Sequence, residues 1–481
     1  MKVRLLFIIL IIGFILRFAG IGTEFYWLDE SVSVWLAQAS FKTGLLDMVA
    51  HDVHPPMYMI LLWGWAKFFG ISPIATRLLS TIFSLMSLYM IFLVGKRLFS
   101  ERVGLVAAAI LAFSPMDIYY AQETRAYSFL VLLTLVSFYS FILLADRLSL
   151  RNSLLYFFST LVLLYTHVFS LLIILVQNVY FLLSSYNSSV KIKKWILIQI
   201  HLFIFYLPWI TILLEQMKES YLRWIPAPQW YTPLVTLANY CGGALLSAFF
   251  LTIAFFALIK FHGQFPWKKH LLLFLWIILP ICTVFIFSLV STPLFHPRYF
   301  LFTIPPLILI ASWSLCAALK NRWALIAAVM FVIFLSLSPI YRQYHTNDKG
   351  DWMSASRFLT ENVSDSDTIF VHPAYQQYPF TYYFNRQCFD ESDIYACNYE
   401  TKGILSLNLS TGCCNDSAIL LGTDENNYLV SYTSKPMWIV DVQSQLHDKE
   451  SNLYKYLNKT MRYQGTRNFY GISILEYRPM E

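Results

Sequence analysis

The stretch "LLFIILIIGFILRFAG" (residues 5–20) contains a single charged residue and predicts a membrane protein. A helix needs about 20 mostly apolar residues to cross a bilayer, and the run from residue 4 to residue 20 approaches that length. No small-residue cleavage site follows the run. We therefore expect a retained membrane anchor rather than a signal peptide that is removed.

The composition extends this expectation along the chain. Of 481 residues, 57% are hydrophobic, 18% are aromatic and 13% are charged, whereas about 25% of the residues of a typical globular domain are charged. Apolar runs of spanning length lie near residues 4–20, 78–96, 102–118, 127–145, 152–167, 168–185, 195–212, 234–259, 271–290, 300–319 and 323–340. We predict an all-α polytopic membrane protein with about 11 transmembrane helices.

Residues 57–69, "MYMILLWGWAKFF", form a shorter apolar run that suits a helix at the membrane surface better than a span. With this run at the surface and the N-terminus inside, the inner segments contain 15 basic residues and the outer loops contain 7. This asymmetry follows the positive-inside rule and indicates orientation rather than nucleic-acid binding. We predict a multi-pass protein of the plasma (inner) membrane with a cytoplasmic N-terminus and an external C-terminus.

The tail has a different character. Residues 341–481 contain 12 Lys and Arg against 17 Asp and Glu. "DWMSASRFLTENV" has helical spacing, and "DTIFVHP", "AILLG" and "MWIVDV" are typical of short buried strands. We predict a membrane domain over residues 1–340, with interfacial helices in a first external loop at 21–76, and a small extracytoplasmic α/β domain over 341–481. Four tail cysteines would allow one or two disulfides there: Cys388, Cys397, Cys413 and Cys414.

Asp29 and Glu30 are adjacent in "WLDESVSVWLAQAS" (residues 27–40), just after the first span. One interpretation is that Asp29 caps the helix that follows. The other is that one carboxylate is a general base for an acceptor hydroxyl. The second carboxylate would then hold polar substrate groups or raise the pKa of the first by like-charge repulsion. Capping alone leaves Glu30 unexplained.

More polar residues fall on the same predicted membrane face. The candidates are His54 and Tyr58 in "HPPMY", Gln122, Glu123 and Arg125 in "YYAQETRAYS", His167 in "YTHVFS" and Arg298 in "FHPRYF". A neutral imidazole such as that of His54 could bind a metal or orient a substrate. Arg298 could clamp a phosphate with two hydrogen bonds. Capping, snorkelling or ordinary burial would explain most of these residues singly, so their shared location is the stronger signal.

The order of the motifs resembles a known family. "WLDE", "HPPMY", "SPMDIYYAQETRAYS", "YTHVF" and "HPRYF" follow one another over roughly residues 1–320. The chain resembles the C-type (GT-C) membrane glycosyltransferases, especially the bacterial relatives of the protein O-mannosyltransferases and of the lipid A aminoarabinose transferase. The resemblance implies a GT-C-like fold. It also implies transfer of a sugar from a polyprenyl-phosphate donor on the external face, usually with inversion, to a lipid, glycan or protein acceptor.

The resemblance also implies roles for individual residues. Asp29 would be the catalytic base or acceptor-binding group, with Glu30 supporting it. The donor phosphate would be bound by His167, Arg298 and Arg125. Other substrate contacts would come from Gln122, Glu123, His54 and Tyr58. This chain has His at two positions where the lipid A enzymes carry Glu and Lys, so a divalent metal ion at His54 and Glu123 is left open.

Two other functions compete with sugar transfer. A lipid-linked polysaccharide polymerase or ligase would also work on the external face, and sequence separates it poorly from a simple transferase. A lipid or sugar transporter (flippase) predicts polar residues near the middle of the bilayer and broken helices in matching halves of the chain. The charged residues here instead gather at one end of the predicted spans, which favours the enzyme.

Overall fold

The computed structural model describes residues 2–39, 41, 54–185, 189–216, 225–261, 265–346, 349–364, 367–373, 376–386, 389, 405–407, 435–442 and 452–480. The chain divides into two compact units. The helical unit comprises Met1–Ile21, Leu45–Trp65 and Ile74–His345, and the sheet unit comprises Gly22–Gly44, Ala66–Pro73 and Thr346–Glu481. The predicted strand "AILLG" and the four tail cysteines lie outside the described residues.

Helices dominate the chain up to residue 345. They are α1 (Lys2–Phe18), α2 (Leu28–Gln38), α3 (Met57–Phe69), α4 (Pro73–Leu98), α5 (Glu101–Ala112), α6 (Pro115–Ala121), α7 (Tyr127–Asp146), α8 (Leu150–Leu164), α9 (Ser170–Ser185), α10 (Ser189–Gln216), α11 (Thr232–Tyr240), α12 (Ala244–Lys260), α13 (Trp267–Val290), α14 (Ile304–Ala318) and α15 (Arg322–His345). A 3₁₀ helix, Pro297–Thr303, leads directly into α14. Each of the predicted apolar runs overlaps one of these elements.

The described residues contain six helices that are long and apolar enough to cross a membrane, or up to eight if each of two bent pairs is one span. The protein is therefore a multi-pass membrane protein, but the predicted count of eleven is not confirmed. Helices α3, α8 and α9 are apolar and shorter. The run at residues 57–69 does form a short helix, while its place at the membrane surface stays a prediction.

Two predicted spans are broken rather than straight. Helices α5 and α6 meet at 62° and α11 and α12 at 86°. The first break precedes Pro115, whose ring removes a backbone donor and disfavours continuation of the helix. The second break contains Gly242 and Gly243, whose φ angles are 94° and 117°. Residues other than glycine rarely adopt such positive φ angles, because their Cβ clashes with the backbone. The apolar runs at 102–118 and 234–259 did not reveal these bends.

A buried ion pair anchors the first helix of the helical unit. The Arg17 side chain is fully buried, and its Nη2 lies 2.6 Å from Oδ2 of Asp117. Its Nε donates to Ser84 Oγ at 2.6 Å. Its Nη1 donates to the carbonyls of Gly13 and Ala112, each at 3.1 Å. A buried charge is tolerated when it is paired and hydrogen-bonded in this way, so we interpret Arg17 and Asp117 as structural.

The sheet unit contains a five-stranded sheet in the order β2-β1-β3-β5-β4. Its strands are β1 (Thr368–His372), β2 (Leu405–Leu407), β3 (Met437–Asp441), β4 (Met461–Phe469) and β5 (Ile472–Pro479). Strands β1 and β3 pair in parallel, and the other neighbours pair antiparallel. The predicted strands in "DTIFVHP" and "MWIVDV" are confirmed as β1 and β3, whereas the sequence did not reveal the β4–β5 hairpin.

Helices cover both faces of this sheet. They are α16 (Trp352–Asn362), α17 (Gln377–Phe384) and α18 (Asn452–Thr460). Trp352 and Leu359 of α16 and Phe380 of α17 pack with the strands in one apolar cluster, and Leu457 of α18 belongs to the cluster on the other face. The helix predicted in "DWMSASRFLTENV" is confirmed as α16. Helix α2 also belongs to this unit and packs against α17, with the rings of Trp35 and Tyr378 at 5.2 Å.

Candidate functional site

The structure brings His54 and His167 together in the helical unit. His54 precedes the two prolines that lead into α3, and His167 lies in the turn of residues 165–169 between α8 and α9. The backbone N–H of Met57 donates to the carbonyl of Tyr165 at 2.9 Å, which ties α3 to this turn. The two imidazoles meet edge to face, with ring centroids 5.3 Å apart.

His167 has a defined hydrogen-bonding state. The backbone N–H of Phe169 donates to its Nδ1 at 3.2 Å. Because Nδ1 accepts, a neutral ring carries its proton on Nε2. The side chain is 2% exposed, and Nε2 has no hydrogen-bond partner within the described part of the chain. A buried donor without a partner is costly in a native fold, so this atom is suited to a ligand oxygen.

Positive charges surround His167. Burial lowers the pKa of His167 well below its usual value, and His54, Arg125 and Arg298 lower it further. The guanidinium of Arg298 also lies over the ring of Tyr299, 5.4 Å from its centroid. The ring is therefore held neutral beside two permanent cations. Such a cluster repels cations and attracts an anion at close range.

Aromatic rings line the same place. Phe169, Tyr299 and Tyr127 lie 5.6, 5.8 and 6.3 Å from the His167 ring, measured between centroids. Ser170, the first residue of α9, is fully buried, and its Oγ has no hydrogen-bond partner among the described residues. A helix N-terminus and a spare hydroxyl add to the anion-binding character of the His167 turn.

The turn between α6 and α7 carries three predicted site residues, and they do not all have the same surroundings. The positive charge of Arg125 acts on His167 and lowers its pKa. Glu123 is buried, with 1% exposure. Gln122 instead uses its amide nitrogen to bind the carbonyls of Arg17 and Ala19, at 2.9 and 2.6 Å. These bonds secure the end of α1, so the predicted substrate role of Gln122 competes with a structural one.

Tyr58 makes one interaction that bears on its predicted substrate role. It is 3% exposed, and its hydroxyl lies 3.4 Å from Ser80 Oγ, at the outer limit for a hydrogen bond between two hydroxyls. That weak link joins α3 to α4. Tyr58 therefore stays a prediction as a substrate contact.

The carboxylate pair belongs to the sheet unit and its two members differ. Residue Trp27 occupies the N-cap of α2, so Asp29 and Glu30 stand in the first turn and the interpretation of Asp29 as the cap is wrong. Glu30 is fully buried, and its Oε2 lies 3.0 Å from Nζ of Lys349. Asp29 is only partly buried. Of the pair, Asp29 is the carboxylate that a substrate could reach.

A metal ion finds little support in the geometry. Over the described ranges, no group of three or more His, Cys, Asp or Glu side chains is arranged to hold a metal ion. His54 has His167 as its ring neighbour.

Sequence reasoning missed two contributors. Ser170 was not predicted as a site residue, because a serine at the start of an apolar helix is usually a helix cap. Lys349 was not predicted as buried, because a lysine in the polar stretch "TNDKGDW" is expected to be exposed to solvent. In the structure it is 3% exposed. A lysine of this kind can be recognised only when the buried carboxylates that it meets are known.

Comparison with known proteins agrees with the motif order. The profile of the dolichyl-phosphate-mannose-protein mannosyltransferase family matches residues 53–211. No curated protein sequence matches the chain significantly.

Solved structures extend the similarity over nearly the whole chain. The crystal structure of ArnT from Cupriavidus metallidurans in the apo state is 12% identical, with a TM-score of 0.64 over 98% of this chain and 97% of that one. ArnT bound to undecaprenyl phosphate is 11% identical, with a TM-score of 0.63 over the same shares. The apo Archaeoglobus fulgidus oligosaccharyltransferase is 10% identical, with a TM-score of 0.57 over 98% of this chain and 74% of that one.

These matches confirm the predicted resemblance to the GT-C glycosyltransferases and to their ArnT and O-mannosyltransferase branches. At such low identities the structural matches establish the fold alone. The family profile covers residues 53–211, which is less than half of the chain.

Proposed function

We propose that the protein is an integral membrane glycosyltransferase that moves a hexose or pentose from a polyprenyl-phosphate donor to an acceptor hydroxyl. The observation that carries the proposal is the buried Nε2 of His167, which lies beside two arginines and has no hydrogen-bond partner among the described residues. A neutral N–H donor flanked by guanidinium groups suits a phosphate ester. Undecaprenyl phosphate, the lipid bound by ArnT in one similar structure, is a ligand of this chemical class.

The charges match the reaction. A sugar linked to a polyprenyl phosphate is a phosphodiester with one negative charge. When the bond between the anomeric carbon and the phosphate oxygen breaks, polyprenyl phosphate leaves and gathers a second negative charge. Arg125 and Arg298 supply two positive charges, and His167 donates a hydrogen bond. Groups of this kind stabilise charge that develops in the transition state.

Asp29 completes the chemistry on the acceptor side. The acceptor oxygen forms the new bond to the anomeric carbon, and its proton passes to the Asp29 carboxylate. The transition state resembles an oxocarbenium ion. A single displacement of this kind inverts the anomeric centre. The positive-inside asymmetry of the loops favours the external face as the place of reaction and the inner membrane as the location.

The direct test supplies purified protein with a polyprenyl-monophosphate sugar or with a nucleotide sugar that carries the same hexose or pentose. We expect transfer only from the lipid donor, with release of polyprenyl phosphate and an inverted product. Turnover of the nucleotide sugar without a lipid intermediate would overturn the proposal. Successive addition of lipid-linked oligosaccharide units would favour a polymerase or ligase, and movement of the intact lipid between leaflets would favour a flippase.

A further inference from the structure

Three charged side chains form a cluster in the sheet unit, and two of them are buried. The Nζ of Lys349 lies 3.0 Å from Oε2 of Glu30 and 3.4 Å from Oε2 of Glu24. Lys349 is 3% exposed and Glu30 is fully buried, whereas Glu24 is 24% exposed. A lysine ammonium this far out of water is retained only where carboxylates compensate for its lost hydration.

The backbone beside Lys349 is fixed by the tail. The N–H of Asp351 donates to the carbonyl of Tyr470 at 2.9 Å, at the turn of the β4–β5 hairpin. Asp351 also caps α16, because its Oδ1 accepts from the N–H of Ser354 at 3.0 Å. A Cβ added to Gly350 would lie 3.2 Å from Cγ1 of Ile472, so the chain here runs close against β5. Lys349 therefore projects from a well-anchored segment.

Helix α2 contacts the tail both in its middle and in its first turn, within the sheet unit. Its middle packs on α17 through Trp35 and Tyr378. Its first turn is bound by the ion pair from Lys349 to Glu30. Asp29 precedes Glu30 in that turn and is the more exposed of the two. A displacement of the Glu30 backbone therefore also displaces Asp29, the proposed base, which is the adjacent residue.

We propose that Lys349 is a positioning residue through which the tail orients Asp29. The tail fixes Lys349, the ion pair fixes the first turn of α2, and the turn sets the direction of the Asp29 carboxylate. The role of Asp29 as base rests on the proposed function, whereas the hold of Lys349 on α2 does not. Loss of the ammonium removes a positive charge from between two carboxylates, and their repulsion then displaces the turn.

The test compares Lys349→Met, the double variant Lys349→Met with Glu30→Gln, and Lys455→Met as a control on an exposed lysine of α18. Hydrogen–deuterium exchange is measured for α2 and, separately, for β3 and β5. We expect Lys349→Met to speed exchange in α2 alone. Because small misplacement of a catalytic group is costly, its kcat for sugar transfer should fall about tenfold or more. Its KM for the donor should change little. The double variant should recover part of both losses, because it relieves the repulsion between Glu30 and Glu24 without restoring the ion pair. Lys455→Met should resemble the wild type.

Several results would overturn the inference. One is unchanged α2 exchange in a folded Lys349→Met protein. Another is loosening of β3 and β5 together with α2, which would make Lys349 a general stabiliser. A third is failure of Glu30→Gln to rescue the variant. If the wild type transfers no sugar from any polyprenyl phosphate, the proposed function fails, but the exchange measurement still decides whether Lys349 holds α2.

Discussion

Asp29 and Glu30 are neighbours in sequence, yet Glu30 is fully buried against Lys349 while Asp29 keeps part of its surface exposed. Adjacent residues of a helix point about 100° apart, so one turn of α2 can present one carboxylate to the interior and the other outward. The two acids should therefore respond differently to isosteric neutral substitution, and this difference separates the catalytic role from the structural one.

Asp29→Asn should abolish most transfer. The amide preserves size and hydrogen bonding but cannot accept a proton, so turnover should fall by roughly 10²–10⁴. Binding of the donor lipid should persist, because the proposed phosphate-binding groups are in the helical unit. Rates of product formation and donor binding to purified protein check this. Asp146→Asn, which alters an exposed ion pair with Arg97, is the control. Near-normal turnover of Asp29→Asn would exclude Asp29 as the base.

Glu30→Gln should be much milder. The glutamine keeps the shape of a fully buried side chain, and Lys349 retains Glu24 at 3.4 Å as a partner. We expect a loss in turnover of less than about tenfold, accompanied by a measurable thermal destabilisation, since removing one partner of a buried pair is costly to folding. The same transfer assay and a thermal unfolding curve measure both effects. A loss as large as that of Asp29→Asn would mean that Glu30 takes part in the chemistry itself.

The sequence predicted the helical membrane fold because apolar runs depend only on local composition. The apolar pattern did not reveal the bends at Pro115 and Gly242, because each residue interrupts a run without making it less apolar. The strands β1 and β3 were predictable from their buried residues, Ile369 to Val371 and Met437 to Val440. Strand β4 is mostly exposed and carries no such pattern.

The candidate site was predictable to a similar extent. Unusual polar residues at the ends of spans pointed to His54, Arg125, His167 and Arg298, which the structure places around His167. Hydrogen-bond partners are a property of the folded chain. The sequence therefore could not show that Gln122 binds the end of α1 or that Lys349 meets Glu30.

Arg298→Ala should weaken binding of the donor lipid as well as turnover. A desolvated phosphate would lose a charge-assisted hydrogen bond worth about 1.5–3 kcal/mol, or roughly 10- to 150-fold in affinity. Titration of purified protein with a polyprenyl phosphate measures this. Arg298→Lys should retain part of the affinity through its charge. Arg322→Ala, at the exposed start of α15, is the control. Equal affinity in Arg298→Ala and the wild type would remove Arg298 from the phosphate site.

His167 predicts a pH dependence of stability whose sign follows from its environment. Burial, His54 and the two arginines lower the pKa of His167 well below its usual 6.5 in the folded protein. Below pH 6.5, His167 therefore binds a proton in the unfolded chain while it stays neutral in the folded chain. The stability contributed by the neutral ring is present above pH 6.5 and is lost as the pH falls toward the lowered pKa.

Acidification from about pH 7.5 to about pH 5.5 should therefore destabilise the wild type more than His167→Gln, by up to about 1.4 kcal/mol for each pH unit below 6.5. Thermal unfolding of the purified protein at the two pH values measures the difference, with His345→Gln, an exposed histidine at the end of α15, as control. Glutamine keeps an N–H that can donate a hydrogen bond, but not the geometry of the imidazole ring. The affinity of His167→Gln for the lipid-linked sugar should therefore fall at both pH values. Equal acid sensitivity of wild type and His167→Gln would show that His167 is not held neutral.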